Sequence, residues 1–336
     1  MDDKQRAKKL ELPAMDRILR IVIDSDAYNE VDDLYAIAWA LCSPERLKVE
    51  AIYAEPFLNF RCNGIADAMQ KSYDEILALT ATISNAEKCA ILHGAANTYT
   101  AIGAPVNSPA VQDLIKRAMA TPADGEPLYV VALGPLTTIA SAIMLDPAVI
   151  EKIVVVWMGY GLEDEKWSVP MCPNTLVDIE AARYVMNCGV PLIQIPGTPV
   201  SSHLLTTLHD LRHYLSEKNR MCDLLLERFE RWQRSWAKDE YAWSKSLWDI
   251  GALAVLINPS WCRSYCMRCP VIPKGFGRHQ ADDVPEYQRG DPRYPWEFDN
   301  ARVVLPNEPR HQARIIFEIK RNPVYLDLYK KLSGDR

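Results

Sequence analysis

The segment IDSDAYNEVDDLYAIA, residues 23–38, crowds acidic side chains between an apolar run and a helix-like run. Its aspartates are Asp24, Asp26, Asp32 and Asp33. A helix N-terminus stabilises one or two acidic side chains by about 0.3–1 kcal/mol each, so helix capping is the structural explanation for such residues. Further carboxylates in the same turn raise one another's pKa unless a cation or a proton relieves them. The spacing therefore favours a functional metal site over capping alone.

Ca²⁺ binds carboxylate, carbonyl and water oxygens, which makes it the cation that this turn suits. Two familiar acidic motifs do not fit the spacing. An EF-hand loop needs a glycine at a fixed place, whereas Tyr28 stands inside this turn and no such glycine follows. Phosphatases with a D-x-D motif continue it with a small residue, unlike this chain. Asp24 is expected to have a structural role, accepting hydrogen bonds from neighbouring backbone.

The elements that must position these aspartates follow a repeated strand-then-helix order. Predicted strands lie at 20–24, 48–55, 127–134, 152–159 and 190–197, and predicted helices at 34–41, 64–80, 109–120 and 178–189. This order predicts an α/β fold with a mostly parallel central sheet and helices on both faces. Ligands of such sheets bind at the carboxyl ends of the strands, where Asp24 and Asp26 lie. Residues 1–336 are predicted to form a single domain, with 274–300 as a long loop excursion.

Composition restricts the partners of the chain. A net charge of -6 and a pI near 5.6 do not suit a phosphate-binding track, so we expect a small-molecule partner and no nucleic acid. No run of 18 apolar residues occurs and the first residues lack a signal-peptide core, so we expect no membrane association and a cytoplasmic location. The nine cysteines are then expected to be reduced.

The segment CRSYCMRC, residues 262–269, has the cysteine spacing of radical-SAM iron–sulfur sites. A cluster would require all three thiols to reach one point. The segment is instead predicted to form a strand, in which alternation sends Cys262 and Cys269 to opposite faces. We therefore expect ordinary thiols at Cys262, Cys266 and Cys269.

The order of strand, D-x-D, turn and D-D at a helix start resembles the inosine-uridine nucleoside hydrolases. Three further segments are similar to that family's signatures in the same order: ALGPLTTIASAIMLDPAVIEKIVVVWMG (132–159), NTLVDIEAARYVMNCGVPL (174–192) and WDIGALAVLINP (248–259). The resemblance spans residues 20–259. It implies the family's mixed α/β fold with a Rossmann-like core, a tightly held Ca²⁺ and a homodimer or homotetramer.

The resemblance also implies the chemistry of the site. The Ca²⁺ ligands would be the carboxylates of Asp26, Asp33 and Asp249 and the backbone carbonyl of Leu133. Asp26 would take a proton from a metal-bound water that attacks the anomeric carbon of a ribose, through an oxocarbenium-like transition state and with inversion. The ribose hydroxyls would be bound by Asp32, Asn59 and Asn174. Without the resemblance, the favoured explanation of Asn174 is a simple turn or helix-entry residue after Pro173.

Two positions depart from the family pattern around the ribose. Asp26 and Asp32 are separated by five residues, AYNEV, where most of the family has three. Cys172 stands where the third signature usually has an acidic residue. Either one hydrogen bond to the ribose is absent, or another residue supplies it, with Glu163, Asp164 and Glu165 as candidates.

Trp248 precedes Asp249, where the pyrimidine-accepting branch has a histidine that donates a proton to the leaving base. Tryptophan cannot donate that proton, but it can stack on the base, as the same pair does in the purine-specific branch. Stacking contributes about 0.5–1.5 kcal/mol beyond area burial. The alternative is that Trp248 packs only as the first apolar residue of a helix. Trp167 and Trp243 are candidates for a second stacking residue.

The function that these observations imply is Ca²⁺-dependent hydrolysis of the N-glycosidic bond of ribonucleosides, with purine nucleosides favoured. One alternative is a non-catalytic or repurposed nucleoside-binding or riboside-binding protein on the same fold. The missing histidine and the missing acidic residue motivate that alternative, whereas the retained aspartates favour the enzyme. A third possibility is an enzyme for another N-riboside.

Overall fold

The computed structural model describes residues 1–84, 86, 89–122, 125–159, 172–236, 243–272 and 309–335. Its strands, in chain order, are β1 (Leu19–Ser25), β2 (Leu47–Ala54), β3 (Ala90–His93), β4 (Leu128–Ala132), β5 (Ile153–Gly159), β6 (Leu192–Pro196), β7 (Leu205–Thr206), β8 (Lys245–Ser246), β9 (Cys262–Arg268) and β10 (Gln312–Ile319). Within the described residues, eight of them form one sheet in the order β3-β2-β1-β4-β5-β6-β10-β9. The strands β7 and β8 form a separate antiparallel pair.

Helices alternate with these strands along most of the chain. They are α1 (Asp3–Lys9), α2 (Asp32–Leu41), α3 (Ile65–Thr80), α4 (Tyr99–Ile102), α5 (Pro109–Met119), α6 (Thr137–Leu145), α7 (Pro173–Val177), α8 (Ile179–Asn187), α9 (Leu208–Leu215), α10 (Arg220–Trp236), α11 (Ile250–Ile257) and α12 (Arg321–Ser333). Each predicted strand and helix listed from the sequence matches an observed element to within two residues at either end. None of the helices in the described part of the chain combines the length and apolar character that a membrane crossing requires.

The central sheet is parallel except at one edge, where β9 runs antiparallel to β10. Neighbouring strands from β3 through β6 and on to β10 pair in parallel. The order of the first six is that of a doubly wound sheet, with β1 between β2 and β4. The predicted fold class is therefore confirmed.

Apolar cores cover both faces of the sheet, and strand β1 shows why. Ile21 and Ile23 face a core that includes residues of α2, α10, α11 and α12. Val22 faces the other core, with residues of α5, α6 and α8. A parallel strand buried on both faces reads as a continuous apolar run, as RIVI does here.

Two elements near the end of the chain lie outside the predicted alternation. Strand β10 enters the sheet between β6 and β9, and α12 then packs against α2 and α9. The strand mixes Gln312, Arg314 and Glu318 with apolar residues, so its sequence lacks the apolar character of β1. The predicted loop excursion at 274–300 lies outside the described residues.

The cysteine-rich segment forms β9, as predicted. Cys262 and Cys266 pack on the α11 side of the sheet, whereas Cys269 packs on the α8 side. All nine cysteines have free thiols in the structure. The prediction that Cys262 and Cys269 point to opposite faces is confirmed, and this geometry does not suit a shared cluster.

Candidate active site

The acidic turn lies at the carboxyl edge of the sheet, between two central strands. Strand β1 ends at Ser25, and α2 begins at Asp32. The neighbouring strand β4 is tied to β1 by a hydrogen bond from the Leu133 amide to the Asp24 carbonyl oxygen, 2.8 Å long. The sheet order reverses at β1, and ligands of doubly wound sheets bind at such a reversal.

Asp33 and Asp249 come together here, although 216 positions separate them in the sequence. Carboxylate oxygens of Asp32, Asp33 and Asp249 all lie within 4.8 Å of one another, and all three residues are buried. Asp249 precedes α11 without capping it through its side chain, so its carboxylate is free to face the cluster. The grouping contains two of the three predicted carboxylate ligands, with Asp32 as its third member.

Asp26 lies beside this group and is 2% exposed. A Cβ atom on Gly134 would lie only 3.1 Å from Asp26 Cγ, so the glycine allows the backbone next to Leu133 to approach this carboxylate closely. Asn29 Nδ2 donates a 2.9 Å hydrogen bond to Asp26 Oδ2. The structure thus brings Asp26 and the Leu133 segment together, as the predicted ligand set requires.

Burial, followed by repulsion among neighbouring carboxylates, raises the pKa of each carboxylate in the group. For Asp26, burial is the largest cause and repulsion by Asp33 the next. For Asp249, burial is followed by repulsion from the neighbouring aspartates. The pKa of Asp32 rises to about 7 because burial outweighs the attraction of Lys245. Buried carboxylates in this number require protons or a cation for balance.

The donor set fits a hard divalent cation. It consists of oxygens alone, which Ca²⁺ and Mg²⁺ prefer over nitrogen or sulfur. Ser25 Oγ donates a 2.6 Å hydrogen bond to Asp33 Oδ1, which orients that carboxylate from behind. Such supporting hydrogen bonds are typical of metal ligands.

Asn174 lies where the ends of β4 and β5 meet. Its Nδ2 donates to the carbonyl oxygen of Leu133 and, at 3.0 Å, to that of Met158. The side chain is buried, and α7 begins one residue earlier, at Pro173. Asn174 therefore lies directly beside the predicted carbonyl ligand, and it also joins two strand ends.

Asn59 reaches the cluster through a second asparagine. Its Nδ2 donates a 2.7 Å hydrogen bond to Asn29 Oδ1, and Asn29 in turn binds Asp26. Arg61 completes the link, since its backbone amide donates to Asn59 Oδ1 and its guanidinium to the Asn29 carbonyl. The five-residue interval between Asp26 and Asp32 is therefore anchored by side chains from the segment after β2.

Asp24 does not have its expected role. Among the described residues, neither oxygen of its carboxyl group receives a hydrogen bond from backbone. The carboxyl group instead faces Glu55, and burial raises the pKa of both groups. Thr138 Oγ1 donates to the other side of Glu55. The two carboxyl groups form a buried pair behind the acidic turn.

Trp248 lies half-buried beside Asp249 and packs against the core around α11. Trp243 contacts Trp232 of α10, with ring centroids 5.3 Å apart, and both belong to one aromatic group with Phe229. Trp167 and the acidic candidates Glu163, Asp164 and Glu165 lie outside the described residues.

Cys172 does not supply the negative charge of the acidic residue that the third signature usually has at this position. Burial raises the pKa of its thiol to about 12, so the group is neutral at physiological pH. The thiol lies close enough to Asp26 for that carboxylate to contribute to the shift.

Two residues of the site region had no role assigned from the sequence. Asp178, inside the third signature, accepts hydrogen bonds from the backbone of Tyr99 and Thr100 and from Thr137 Oγ1, and so joins α4, α6 and α8. Lys245 forms an ion pair with Asp32 at 3.2 Å. The excess of acidic residues in the turn was the available signal that a buried cationic partner would be needed.

Comparison with known proteins agrees with this arrangement. Residues 21–322 match the sequence profile of the family described as inosine-uridine preferring nucleoside hydrolase. A probable uridine nucleosidase 2 of Arabidopsis thaliana is 29% identical over 125 residues, which cover 37% of this chain and 38% of that protein. A pyrimidine-specific ribonucleoside hydrolase, RihB, of Escherichia coli is 37% identical over 90 residues, covering 26% of this chain and 28% of that one. These alignments thus span about a third of the relatives' own length.

Solved structures share the fold over nearly the whole chain. A purine-preferring ribonucleoside hydrolase from Gardnerella vaginalis superimposes with a TM-score of 0.69 at 19% identity, covering 94% of this chain and 98% of that one. The plant nucleoside hydrolase PpNRh1 gives a TM-score of 0.66 at 18% identity, covering 95% and 100%. The profile match, the shared fold and the grouped aspartates lead to one conclusion: the chain belongs to the inosine-uridine preferring nucleoside hydrolase family.

Proposed function

We propose that this protein is a Ca²⁺-dependent N-ribohydrolase that cleaves ribonucleosides, purine nucleosides foremost, into ribose and free base. The observation that carries the proposal is that the buried carboxylates of Asp33 and Asp249 lie close together, beside Asp26, at the carboxyl edge of the sheet. A cluster of carboxylates with raised pKa values costs stability. A cation and a polyhydroxylated substrate together give a reason for it.

The proposed ligands are the carboxylates of Asp26, Asp33 and Asp249 and the Leu133 carbonyl. When bound there, Ca²⁺ would lower the pKa of a coordinated water and orient it toward the substrate. Asp26 is the proposed proton acceptor for the attacking water, and the Asn29 hydrogen bond holds its carboxylate in place. Attack without a covalent intermediate gives inversion at the anomeric carbon.

The proposed ribose ligands are Asp32, Asn59 and Asn174. The remaining negative charge of the cluster would stabilise the positive charge that develops on the sugar ring in the transition state. Since Asn59 binds Asn29, a ribose hydroxyl would have to exchange for or extend that hydrogen bond.

Base recognition is assigned to Trp248. Its ring is half-buried next to the proposed ligand Asp249, where it could stack on a base. A stacked purine can accept a proton from solvent, so no acidic side chain is needed at this position. Two relatives are named for uridine or pyrimidine substrates and one solved relative is named as purine-preferring, so a nucleoside panel is the decisive test.

The alternative is a nucleoside-binding or riboside-binding protein that keeps the fold without turnover. The neutral Cys172 thiol is the observation that favours it, because it removes one expected ribose contact. We favour the enzyme because a binding protein has little need for Asp26. As further parts of the proposal, the protein is cytoplasmic, binds neither nucleic acid nor membrane, and forms a homodimer or homotetramer.

The experiment is release of free base from inosine, adenosine, guanosine, uridine and cytidine, followed by chromatography. The expected result is faster release from purine nucleosides, lost on treatment with a chelator and restored by Ca²⁺. Uridine cleaved as fast as inosine would overturn the stacking argument. Binding of a nucleoside without release from any would favour the binding protein.

A further inference from the structure

A buried ammonium group adjoins the proposed ribose site. Lys245 is 4% exposed, and its ammonium has polar and charged neighbours. It donates to a Glu30 carboxylate oxygen and, at 2.7 Å, to the Ser246 carbonyl, and its ion pair with Asp32 Oδ1 measures 3.2 Å. The ammonium thus donates two hydrogen bonds, and the contact with Asp32 is an ion pair.

The ammonium joins two segments that carry different parts of the site. Glu30 and Asp32 belong to the turn between β1 and α2, and Glu30 lies inside the interval that is longer than the family pattern. Lys245 belongs to β8, three residues before Trp248. The ion pairs therefore connect the proposed ribose ligand to the segment that presents the proposed base-stacking ring.

Aromatic rings enclose the same ammonium. Its Nζ lies 4.9 Å from the centroid of the Trp232 ring and 6.0 Å from that of Trp248. A cation over an indole face is attracted to it, more strongly where water is excluded. The ammonium thus has two carboxylates and two tryptophan rings as neighbours.

We propose that Lys245 is a positioning residue that orients Asp32 for the ribose, with Glu30 as a second carboxylate that holds the ammonium in place. The inference rests on the proposed function, because it takes Asp32 as a ribose ligand. The ammonium lies 3.2 Å from Asp32 Oδ1 and attracts that carboxylate by its charge. The role is positioning by a fixed charge.

Proton donation to the leaving base is a different role, and the surroundings disfavour it. Burial lowers the pKa of Lys245, but Asp32 and Glu30 raise it by more, so its pKa lies above the ordinary value. An ammonium held charged in this way is a poor proton donor. Among the described residues, Asp32 and Glu30 are the carboxylates that pair with it, and the ring centroids of Trp232 and Trp248 lie 4.9 Å and 6.0 Å from its Nζ.

Two replacements separate the charge of Lys245 from its packing. Lys245→Met keeps an unbranched apolar stem against the two indoles but removes the charge. Lys245→Arg keeps the charge and can still pair with Asp32. Positioning by charge predicts that kcat/KM for the best nucleoside falls about 30-fold or more in K245M and recovers to within about 5-fold of wild type in K245R, with KM carrying most of the change.

A role in packing alone predicts the reverse order, with K245M closer to wild type than K245R, and that result would overturn the inference. So would unchanged KM in K245M. A wild-type protein that releases no base is a distinct outcome: it overturns the proposed function, and the role of Lys245 in it, before any variant is compared.

A readout without turnover tests the ion pair itself. In the metal-free protein, thermal unfolding of E30Q, K245M and the double variant forms a double-mutant cycle. The contact predicts non-additive melting temperatures, because E30Q leaves the buried Lys245 ammonium without one partner and K245M leaves the partly buried Glu30 carboxylate without its ammonium. Additive changes would show that Glu30 does not hold Lys245, and would overturn the proposed geometry.

Discussion

Removal of divalent cations should destabilise this protein most strongly near neutral pH. The pKa of Asp32 in the folded chain is about 7, whereas an aspartate in an unfolded chain titrates near about 3.9. The folded state therefore holds more protons than the unfolded state between these values, and the stability of the metal-free protein falls as pH rises through this window. Asp26, Asp33 and Asp249, whose pKa values are also raised, add to the same trend.

The size of the cation effect follows from mass action. A ligand at 100 times its dissociation constant stabilises the folded state by about 2.7 kcal/mol. An unfolding entropy of about 2.1 cal/mol/K per residue gives about 0.7 kcal/mol/K for 336 residues. The predicted rise in melting temperature at pH 7.5 is therefore about 4 °C. At pH 5.5 the cation must first displace protons from the cluster, so the rise is smaller.

The assay is a thermal melt, followed by circular dichroism, in chelator and in excess Ca²⁺ at both pH values. Asp249→Asn serves as the matched control, because it keeps the shape of the side chain and removes one proposed ligand charge. If Ca²⁺ raised the melting temperature of D249N as much as that of wild type, Asp249 would not be a ligand. A larger rise at pH 5.5 than at pH 7.5 would contradict competition between protons and the cation. No rise at pH 7.5 with Ca²⁺ or any other divalent cation would refute the metal site itself.

Three further predictions concern individual side chains. Trp248→Ala should lower kcat/KM for inosine by about 10-fold and Trp248→Phe by about 3-fold or less, since phenylalanine still stacks; equal losses in steady-state kinetics would contradict stacking. Asn174→Ala removes the donor to the Leu133 and Met158 carbonyls, so the free energy of unfolding in urea should fall by about 1–3 kcal/mol, and Ca²⁺ binding measured by calorimetry should weaken. An unchanged free energy of unfolding would contradict the contact. Asp178→Ala removes the acceptor that joins α4, α6 and α8, so the free energy of unfolding should fall by more than about 3 kcal/mol in the same assay. A fall of less than about 1 kcal/mol would contradict the role of Asp178 in joining these helices.

Much of the fold could be predicted because buried parallel strands carry a strong pattern. RIVI and the other continuous apolar runs correspond to strands covered on both faces, and the intervening helices show one apolar side. Strand β10 could not be found this way, because polar residues interrupt its apolar positions, although these positions reach both cores. Its partner β9 lies at the sheet edge and is similarly mixed.

Long-range contacts decide the remaining details of the site. The strand-end position of Asp26 and the helix-start position of Asp33 were readable locally, but the approach of Asp249 depends on how α11 packs. The ion pair of Lys245 with Asp32 spans over 200 positions and leaves no local pattern. The expected backbone contacts of Asp24 were wrong for a similar reason, since its neighbour Glu55 comes from the adjacent strand end.

The most direct test of the proposed mechanism compares base release from inosine by wild type and by Asp26→Asn. Calorimetry first establishes that both proteins have equal Ca²⁺ occupancy. Asparagine keeps an oxygen for the cation but cannot accept a proton. If Asp26 accepts the proton of the attacking water, D26N should still bind the nucleoside, while its kcat falls at least about 100-fold, the usual effect of losing a general base. Turnover by D26N close to that of wild type, with the same Ca²⁺ bound, would contradict the assignment of Asp26 and the mechanism built on it.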